Sequence, residues 1–277
     1  MLRSALVALD GSAHSEAATT LALDWAARFG ARLLGLGVLD EPAIHGPEAV
    51  PLGAGTYKKE LDEARMADAQ RRVEACLANF SARSAAAGVT ADVLEDVGDP
   101  AERIMHEAHR SDVVILAREA HFHFETQGRH DHTLAQILGG SPRPIVVVPR
   151  RLLEGRGVLV AYNHSREAAR TLQTLQLLGL AAGEEIEVMT VHHDGSIADA
   201  IARLAGEFLS AHEAPHRLHP VASEAAPAKV LLDEARRLRP RLLAIGAHGH
   251  HPLRDLFASS VTRRVLAACP VPVFIGA

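Results

Sequence analysis

The sequence predicts an α/β fold that is built twice, with a mostly parallel sheet in each half of the chain. Two observations lead to this prediction. Apolar runs alternate with helical patterns along the 277 residues, and the second half repeats the order of the first. Strands that alternate with helices form βαβ units, whose strands are parallel. We therefore expect one domain over residues 1–150 and a second over 155–277, joined by a linker at 150–155.

The repeat is clearest at the two ends of each half. Residues 6–12 form an apolar run that ends in Asp-Gly-Ser, and residues 159–165 form one that ends in Asn-His-Ser. Each run is followed by a helical pattern and carries a small residue suited to cap a helix. The closing segments 141–148 and 269–275 also correspond. The duplication therefore covers nearly the whole chain.

Each half contains five predicted strands and four predicted helices. Strands 113–116 and 145–148 are apolar throughout, as expected when both faces of a parallel sheet are buried. The first half also has a Pro- and Gly-rich insert at 40–57, which we expect to be a surface loop. Its predicted strands are 4–10, 31–39, 89–96, 112–117 and 144–148, and its helices are 15–30, 58–88, 99–110 and 131–140. The second half has predicted strands 156–162, 185–192, 216–222, 241–246 and 271–275, with helices 165–182, 196–213, 226–238 and 259–268.

Composition and apolar patterning argue against several classes of protein. The net charge is −5 with histidine neutral, which argues against a nucleic-acid partner. No apolar stretch is long enough to span a membrane, and the apolar run at the N-terminus is too short for a signal peptide. The two cysteines, Cys76 and Cys269, lie in different halves, as expected for core residues in a reducing compartment. We therefore expect a cytoplasmic protein.

The segment 245–262, after the fourth strand of the second half, carries the most informative motif. Gly246 and Gly249 can let a ligand approach the main chain closely. Ser259, Ser260 and Val261 begin the last helix, where free N–H groups and the helix dipole favour an anion. In an open parallel sheet, ligands bind at the carboxyl ends of strands one and four. This segment therefore predicts a phosphate site.

The spacing of Gly246, Gly249 and Ser260 resembles the ATP-binding motif of the universal stress protein family, in its tandem form with two domains per chain. That motif has Gly, two residues, Gly, nine residues, and then Gly and Ser or Thr, so Ser259 replaces the third glycine. Gly-Asp-Pro at 98–100 also resembles the family. The resemblance implies two open five-stranded parallel sheets of order 3-2-1-4-5 with helices on both faces. It also implies that the last strands of the two halves pair within the chain, with a homodimer as a further option.

The resemblance implies that the second half binds ATP or another adenine nucleotide, with Mg²⁺ as an optional companion. It also implies a stress-response or regulatory role with little or no turnover of ATP. Weak ATP hydrolysis remains an open alternative. Ala161 and Asn163 would lie near the nucleoside and Val191 against the base, with the loop around the phosphates. The candidate nucleotide-binding residues are Ala161, Asn163, Val191, Gly246, His248, Gly249, His250, Ser259, Ser260 and Val261.

Neither half keeps the complete family pattern. Asp10 ends the first strand of the first half, where ATP-binding members use an Asp, but the second half has Asn163 there. The first half has Ala-Arg-Glu-Ala-His at 117–121 in place of the glycines, and Asp131 where the Gly-Ser pair should be. A carboxylate at that helix start would repel phosphate, so we expect the first half not to bind ATP in the family's manner.

Two alternatives to nucleotide binding stay open. One is a nucleotide-free protein-interaction module, which Asn163 and the degenerate first half suggest. The other is zinc or another metal held by loop histidines, although neither loop contains a cysteine and a solvated histidine is the favoured interpretation. The metal candidates are His121, His123, His130 and His132.

No residue pattern indicates catalysis. The chain has no Gly-x-Ser-x-Gly elbow and no lysine after a glycine loop. The adjacent carboxylates Asp62-Glu63 and Asp233-Glu234 are expected on solvated helix faces rather than as acid–base pairs. The sequence therefore predicts a protein that is not an enzyme.

Overall fold

The computed structural model describes residues 1–12, 14–46, 55–120, 122, 132–246 and 261–276. The chain divides into two compact units, one formed by Arg3–Gly140 and the other by Met1–Leu2 together with Ser141–Ala277. Both units combine helices with mostly parallel strands, which confirms the predicted α/β class.

The unit Arg3–Gly140 has four parallel strands in the order β3-β2-β1-β4. This is the beginning of the expected 3-2-1-4-5 order. The strands are β1 (Ser4–Leu9), β2 (Arg32–Leu39), β3 (Ala91–Val97) and β4 (Val113–Ala117). The helices are α1 (Ser15–Phe29), α2 (Glu41–Ile44), α3 (Gly55–Ala86), α4 (Pro100–Ala108) and α5 (Thr133–Gly140).

The other unit has five parallel strands in the order β8-β7-β6-β9-β10, which is 3-2-1-4-5 when counted from β6. One more strand, β5, pairs antiparallel with β10, with Val147 opposite Val273. The closing strands of the two halves therefore pair within the chain. The strands are β5 (Ile145–Val148), β6 (Val158–Ala161), β7 (Ile186–His192), β8 (His216–Ala222), β9 (Leu242–Gly246) and β10 (Val273–Gly276). The helices are α6 (Arg166–Leu178), α7 (Gly195–Ala211), α8 (Pro227–Leu238) and α9 (Val261–Ala268).

The central strands form the core of each unit. Every residue of β4 is buried, as are Leu243 and Ala244 of β9 and Phe274 of β10. Helices pack on these strands through apolar residues such as Trp25 in α1. Burying one such large side chain contributes about 1.5–3 kcal/mol. The continuous apolar runs in the sequence therefore correspond to strands covered on both faces.

Left-handed glycines set two helix ends. α1 stops at Gly30, which has a φ of 65°, as the sequence suggests. α6 ends at Leu178, four residues before the expected end at 182, because Gly179 adopts a φ of 67° and caps the helix. The sequence pattern predicted that this helix continues to 182, directly before Gly183, but Gly183 lies in the turn that follows the helix.

The insert at 40–57 is not entirely a loop. It contains the short helix α2, whose start is capped by the Asp40 carboxylate, which accepts a hydrogen bond from the Ala43 N–H at 3.0 Å. Residues 47–54 lie outside the described residues, and α3 begins at Gly55. The expected helix at 58–88 is therefore confirmed with a slightly earlier start.

One expected surface charge is buried. Only 10% of the Asp62 side chain is exposed, and its carboxylate lies 2.7 Å from the Lys58 ammonium. The prediction of a solvated face is therefore wrong for Asp62, although Glu63 is exposed. The sequence pattern could not show this, because a buried ion pair within one helix has the same spacing as an exposed one.

Among the described residues, no helix combines the length and the apolar character needed to cross a membrane. Cys269 is fully buried, as expected, whereas Cys76 is half-buried, and the two cysteines do not form a disulfide.

Candidate functional site

The carboxyl ends of β6 and β9 lie side by side in the second half. Ala161, the last residue of β6, lies opposite Ile245 of β9 and Met189 of β7. Gly246 follows Ile245 and ends β9. These are strands one and four of this half, so their ends form the edge where open α/β sheets bind ligands.

The turn between β6 and α6 is fixed by side-chain acceptors. The Asn163 side-chain oxygen accepts a hydrogen bond from the Ser165 N–H at 3.2 Å, and the Ser165 hydroxyl accepts one from the Ala168 N–H at 3.1 Å. His164 lies between them with a φ of 62°. Asn163 is exposed, and its side-chain NH₂ group provides two further donors. The turn therefore presents an amide, not a carboxylate, at this strand end.

Gly246 lies against the first turn of α6. A Cβ atom there would be 2.7 Å from the Ala168 backbone nitrogen and 2.9 Å from the Glu167 carbonyl carbon. Since these neighbours are backbone atoms, no larger residue fits without moving the helix. Close packing against α6 therefore requires glycine at position 246, independently of any ligand. This packing brings the start of α6 to the end of β9.

A buried hydroxyl joins β7 to the residue that follows β6. Thr190 is 1% exposed and donates a hydrogen bond to the Tyr162 carbonyl oxygen at 2.8 Å. Burial raises the pKa of the Tyr162 phenol above its usual value. Val191, the expected neighbour of a base, is half-buried and lies next to Thr190 in β7. Thr190 could not be predicted as part of the site, because its signal in the sequence is a single hydroxyl within β7.

The corresponding edge of the first half has acidic side chains. Asp10 is 4% exposed and accepts hydrogen bonds from the Ser12 N–H at 3.1 Å and the Ser12 hydroxyl at 2.8 Å. Cys76 lies near this turn. Burial raises the pKa of its thiol and the Asp10 charge adds to that rise, while a hydrogen bond with the Gly11 backbone opposes it. The thiol is therefore held protonated rather than as a reactive thiolate.

A histidine and a carboxylate meet beyond β1 and β4. The His14 Nδ1 lies 3.3 Å from a carboxylate oxygen of Glu119, two residues after β4. Phe122, three residues later, is fully buried. The first half therefore has a carboxylate and a packed aromatic ring in the region where the second half has its glycine motif.

A model of the universal stress protein family matches residues 1–149 and matches again at residues 155–275. The chain belongs to the universal stress protein family. The two matches also confirm the tandem arrangement. Among curated proteins, the universal stress protein Slr1230 of Synechocystis sp. is 26% identical over 289 residues, which span 98% of this chain and 99% of that protein.

Solved structures agree with this assignment at the level of the fold. A universal stress protein from Archaeoglobus fulgidus DSM 4304 superposes with a TM-score of 0.74 at 19% identity, over 99% of this chain and 97% of that one. A functionally unknown protein from Pseudomonas aeruginosa PAO1 has a TM-score of 0.57 at 14% identity, over 99% and 92% of the two chains.

The structure describes five of the ten residues that are expected to bind a nucleotide. Ala161, Asn163, Val191 and Gly246 lie at the strand ends, and Val261 is the half-buried first residue of α9. The remaining candidates lie outside the described residues and stay predictions: His248, Gly249, His250, Ser259 and Ser260.

Of the metal candidates, His121, His123 and His130 also lie outside the described residues, and His132 directly precedes α5. Within the part of the chain that the structure describes, no three His, Cys, Asp or Glu side chains are grouped so that they could hold a metal ion.

Proposed function

We propose that the second half of this universal stress protein binds an adenine nucleotide, ATP foremost, with little or no turnover, and that binding serves a regulatory role in the response to stress. The observation that carries the proposal is the meeting of β6, β9 and the start of α6 at Gly246. That meeting point is the ligand-binding edge of the fold, and the glycine motif begins there.

The nucleoside is proposed to lie at the ends of β6 and β7. Ala161 offers a surface without a long side chain, and Asn163 can donate to a ribose hydroxyl while its oxygen holds the turn. Val191 would contact the base, and Thr190 supports this position by joining β7 to Tyr162. These residues provide neutral contacts, which suits a nucleoside better than a charged group.

The phosphates are proposed to lie along residues 246–261. Gly249, His248 and His250 would approach from the loop, and Ser259, Ser260 and the Val261 N–H would bind at the start of α9. A helix N-terminus favours anions because its first N–H groups have no partner within the helix. We propose that Mg²⁺, where it is bound, accompanies the phosphates, whose oxygens are its usual ligands in nucleotide sites.

A solved structure of a universal stress protein family protein from Arabidopsis thaliana has AMP bound. A solved structure of another universal stress protein is a complex with cAMP. They superpose on this chain with TM-scores of only 0.35 and 0.39, so the ligand is argued from the residues of this chain.

The first half is proposed not to bind nucleotide. Glu119 follows β4, where phosphate would lie, and its negative charge would repel a second anion. Asp10 accepts hydrogen bonds from Ser12 and so is already used within its own turn. One nucleotide per chain is therefore expected.

Equilibrium dialysis of the full chain at millimolar ATP, with and without Mg²⁺, tests the proposal. We expect one ATP per chain, and we expect Gly249→Glu to weaken binding by at least about tenfold because it adds bulk and negative charge beside the phosphates. Gly55→Glu is the matched control, because Gly55 is exposed and a Cβ there meets no atom within 4 Å. If no ATP binds, or if Gly249→Glu binds ATP as tightly as Gly55→Glu does, the nucleotide-free protein-interaction module becomes the better explanation.

A further inference from the structure

The turn after the first strand is built in the same way in both halves. In the first half the Asp10 carboxylate accepts a hydrogen bond from the Ser12 N–H at 3.1 Å, and in the second half the Asn163 side-chain oxygen accepts one from the Ser165 N–H at 3.2 Å. The residue between the two partners is left-handed in each turn, with a φ of 68° in the first half and 62° in the second. Positions counted from this serine therefore correspond between the halves.

The pairing of strands one and four also has the same register in both halves. Ala5 of β1 lies opposite Val113 of β4, and Val158 of β6 lies opposite Leu242 of β9. Ala5 and Val158 each precede the serine of their turn by seven residues. Positions counted along the fourth strand therefore correspond as well, as far as the residues that directly follow it.

Two charged positions are exchanged between the halves. His14 and Glu167 each lie two residues after the serine of the turn, at the start of the first helix. Glu119 lies six residues after Val113, and His248 lies six residues after its counterpart in β9. The helix position therefore holds an imidazole in the first half and a carboxylate in the second, while the loop position holds the reverse.

The helix position lies at a similar depth in both halves. His14 has a side chain that is 19% exposed, and its Nδ1 lies 3.3 Å from the Glu119 carboxylate on the loop after β4. The Glu167 side chain is 14% exposed, although the side chain of its neighbour Arg166 is 60% exposed. The Glu167 carbonyl carbon would lie 2.9 Å from a Cβ atom at Gly246. Glu167 is therefore held beside the end of β9, as His14 is held near the end of β4.

We propose that Glu167 pairs with His248 in the second half, as His14 pairs with Glu119 in the first half, with the acid and the base exchanged between helix and loop. His248 lies outside the described residues, so the inference rests on the described contact in the first half, the shared register and the burial of Glu167. Glu167 then acts as a positioning residue for the histidine of the glycine motif.

The exchange changes the charge that each half presents to a phosphate, a step that rests on the proposed function. In the first half the loop carries the Glu119 carboxylate, which repels an anion. In the second half the Glu167 carboxylate accepts a hydrogen bond from one ring N–H of His248, which fixes the orientation of the ring and favours its protonated form. The other ring N–H is then free to donate to a phosphate oxygen.

Urea unfolding of the full chain without nucleotide tests the pair itself. His248→Glu brings two carboxylates together and is expected to lower the urea midpoint. Adding Glu167→His recreates the arrangement of the first half and should bring the midpoint back toward the wild-type value. Glu207→His is the control for the second change, because Glu207 is exposed on α7. The pair is overturned if the exchanged variant is no more stable than His248→Glu alone, or if Glu207→His restores stability equally well.

Equilibrium dialysis with ATP tests the positioning role separately. Glu167→Ala should weaken ATP binding at least about fivefold in the wild-type background but add little to His248→Ala, because Glu167 acts through the imidazole. The exchanged variant should bind at least about tenfold more weakly than the wild type, since its carboxylate faces the phosphates.

Additive losses from Glu167→Ala and His248→Ala overturn the positioning role, and so does an exchanged variant that binds ATP as the wild type does. A wild type that binds no ATP contradicts the proposed function and the positioning role together. The unfolding comparison still decides in that case whether Glu167 and His248 form a pair.

Discussion

At the scale of single residues, the turn after β6 depends on an unusual backbone conformation. His164 has a φ of 62°, in the left-handed region, while Asn163 and Ser165 on either side hold the turn by hydrogen bonds. This conformation costs a residue other than glycine about 1–2 kcal/mol. Histidine tolerates it better than a β-branched residue does. The proposed nucleoside site is therefore built on a turn that restricts which residue can occupy position 164.

We predict that His164→Val lowers the free energy of unfolding by about 1 kcal/mol, because a β-branched side chain adds strain to the left-handed backbone beyond the strain that histidine already carries. His164→Gly should leave stability unchanged or slightly higher. His193→Val is the control, since His193 is also exposed but is not among the positive-φ residues. Urea unfolding followed by circular dichroism measures all three, and equal losses in the two valine variants would contradict this reading of the turn.

The sequence predicted the strand ends of the site better than it predicted the contacts there. Ala161 and Gly246 could be placed because an apolar run followed by a polar turn marks a strand end. The reason for glycine at 246 could not be found, because it depends on how closely the α6 backbone approaches. The contact of His14 with Glu119 was also missed, since it joins residues more than a hundred positions apart.

At the scale of the element, α3 contains two adjacent ion pairs that differ in how deeply they are buried. Lys58 and Asp62 have side chains 19% and 10% exposed, and they are 2.7 Å apart. Lys59 and Glu63 have the same spacing, but they are 79% and 66% exposed and 3.8 Å apart. Exposed pairs contribute little to stability, whereas a buried carboxylate that loses its partner is costly. Helical spacing predicts both pairs, and only the packing distinguishes them.

We predict that Lys58→Met lowers the free energy of unfolding by about 1–3 kcal/mol, because it leaves the Asp62 carboxylate buried with a weaker partner. Lys59→Met, the matched control one residue away, should change it by less than about 0.5 kcal/mol. The double variant Lys58→Met/Asp62→Leu should recover most of the loss, because it removes the buried charge as well. Chemical denaturation measures each variant, and similar losses for the two lysines would show that the burial of Asp62 has no energetic effect.

At the scale of the whole molecule, the first two residues belong to the unit formed by the C-terminal half. Leu2 is fully buried, and its N–H donates a hydrogen bond to the Leu178 carbonyl oxygen at 2.7 Å. The N-terminal ammonium of Met1 donates to the Leu177 carbonyl oxygen. The chain therefore begins in one unit and continues at Arg3 in the other. Sequence patterns could not predict this, because two residues before a strand carry no periodic signal.

We predict that Leu2→Ala destabilises the C-terminal unit by about 2–4 kcal/mol, the usual cost of removing a buried leucine side chain. Hydrogen exchange followed by mass spectrometry should then show faster exchange in peptides of β9, while peptides of β4 keep their wild-type rates. Leu177→Ala is the control, because that side chain is 64% exposed and its loss leaves no cavity. Equal acceleration in β4 and β9 would mean that Leu2 stabilises both units, and an unchanged β9 would mean that its burial contributes nothing to the C-terminal unit.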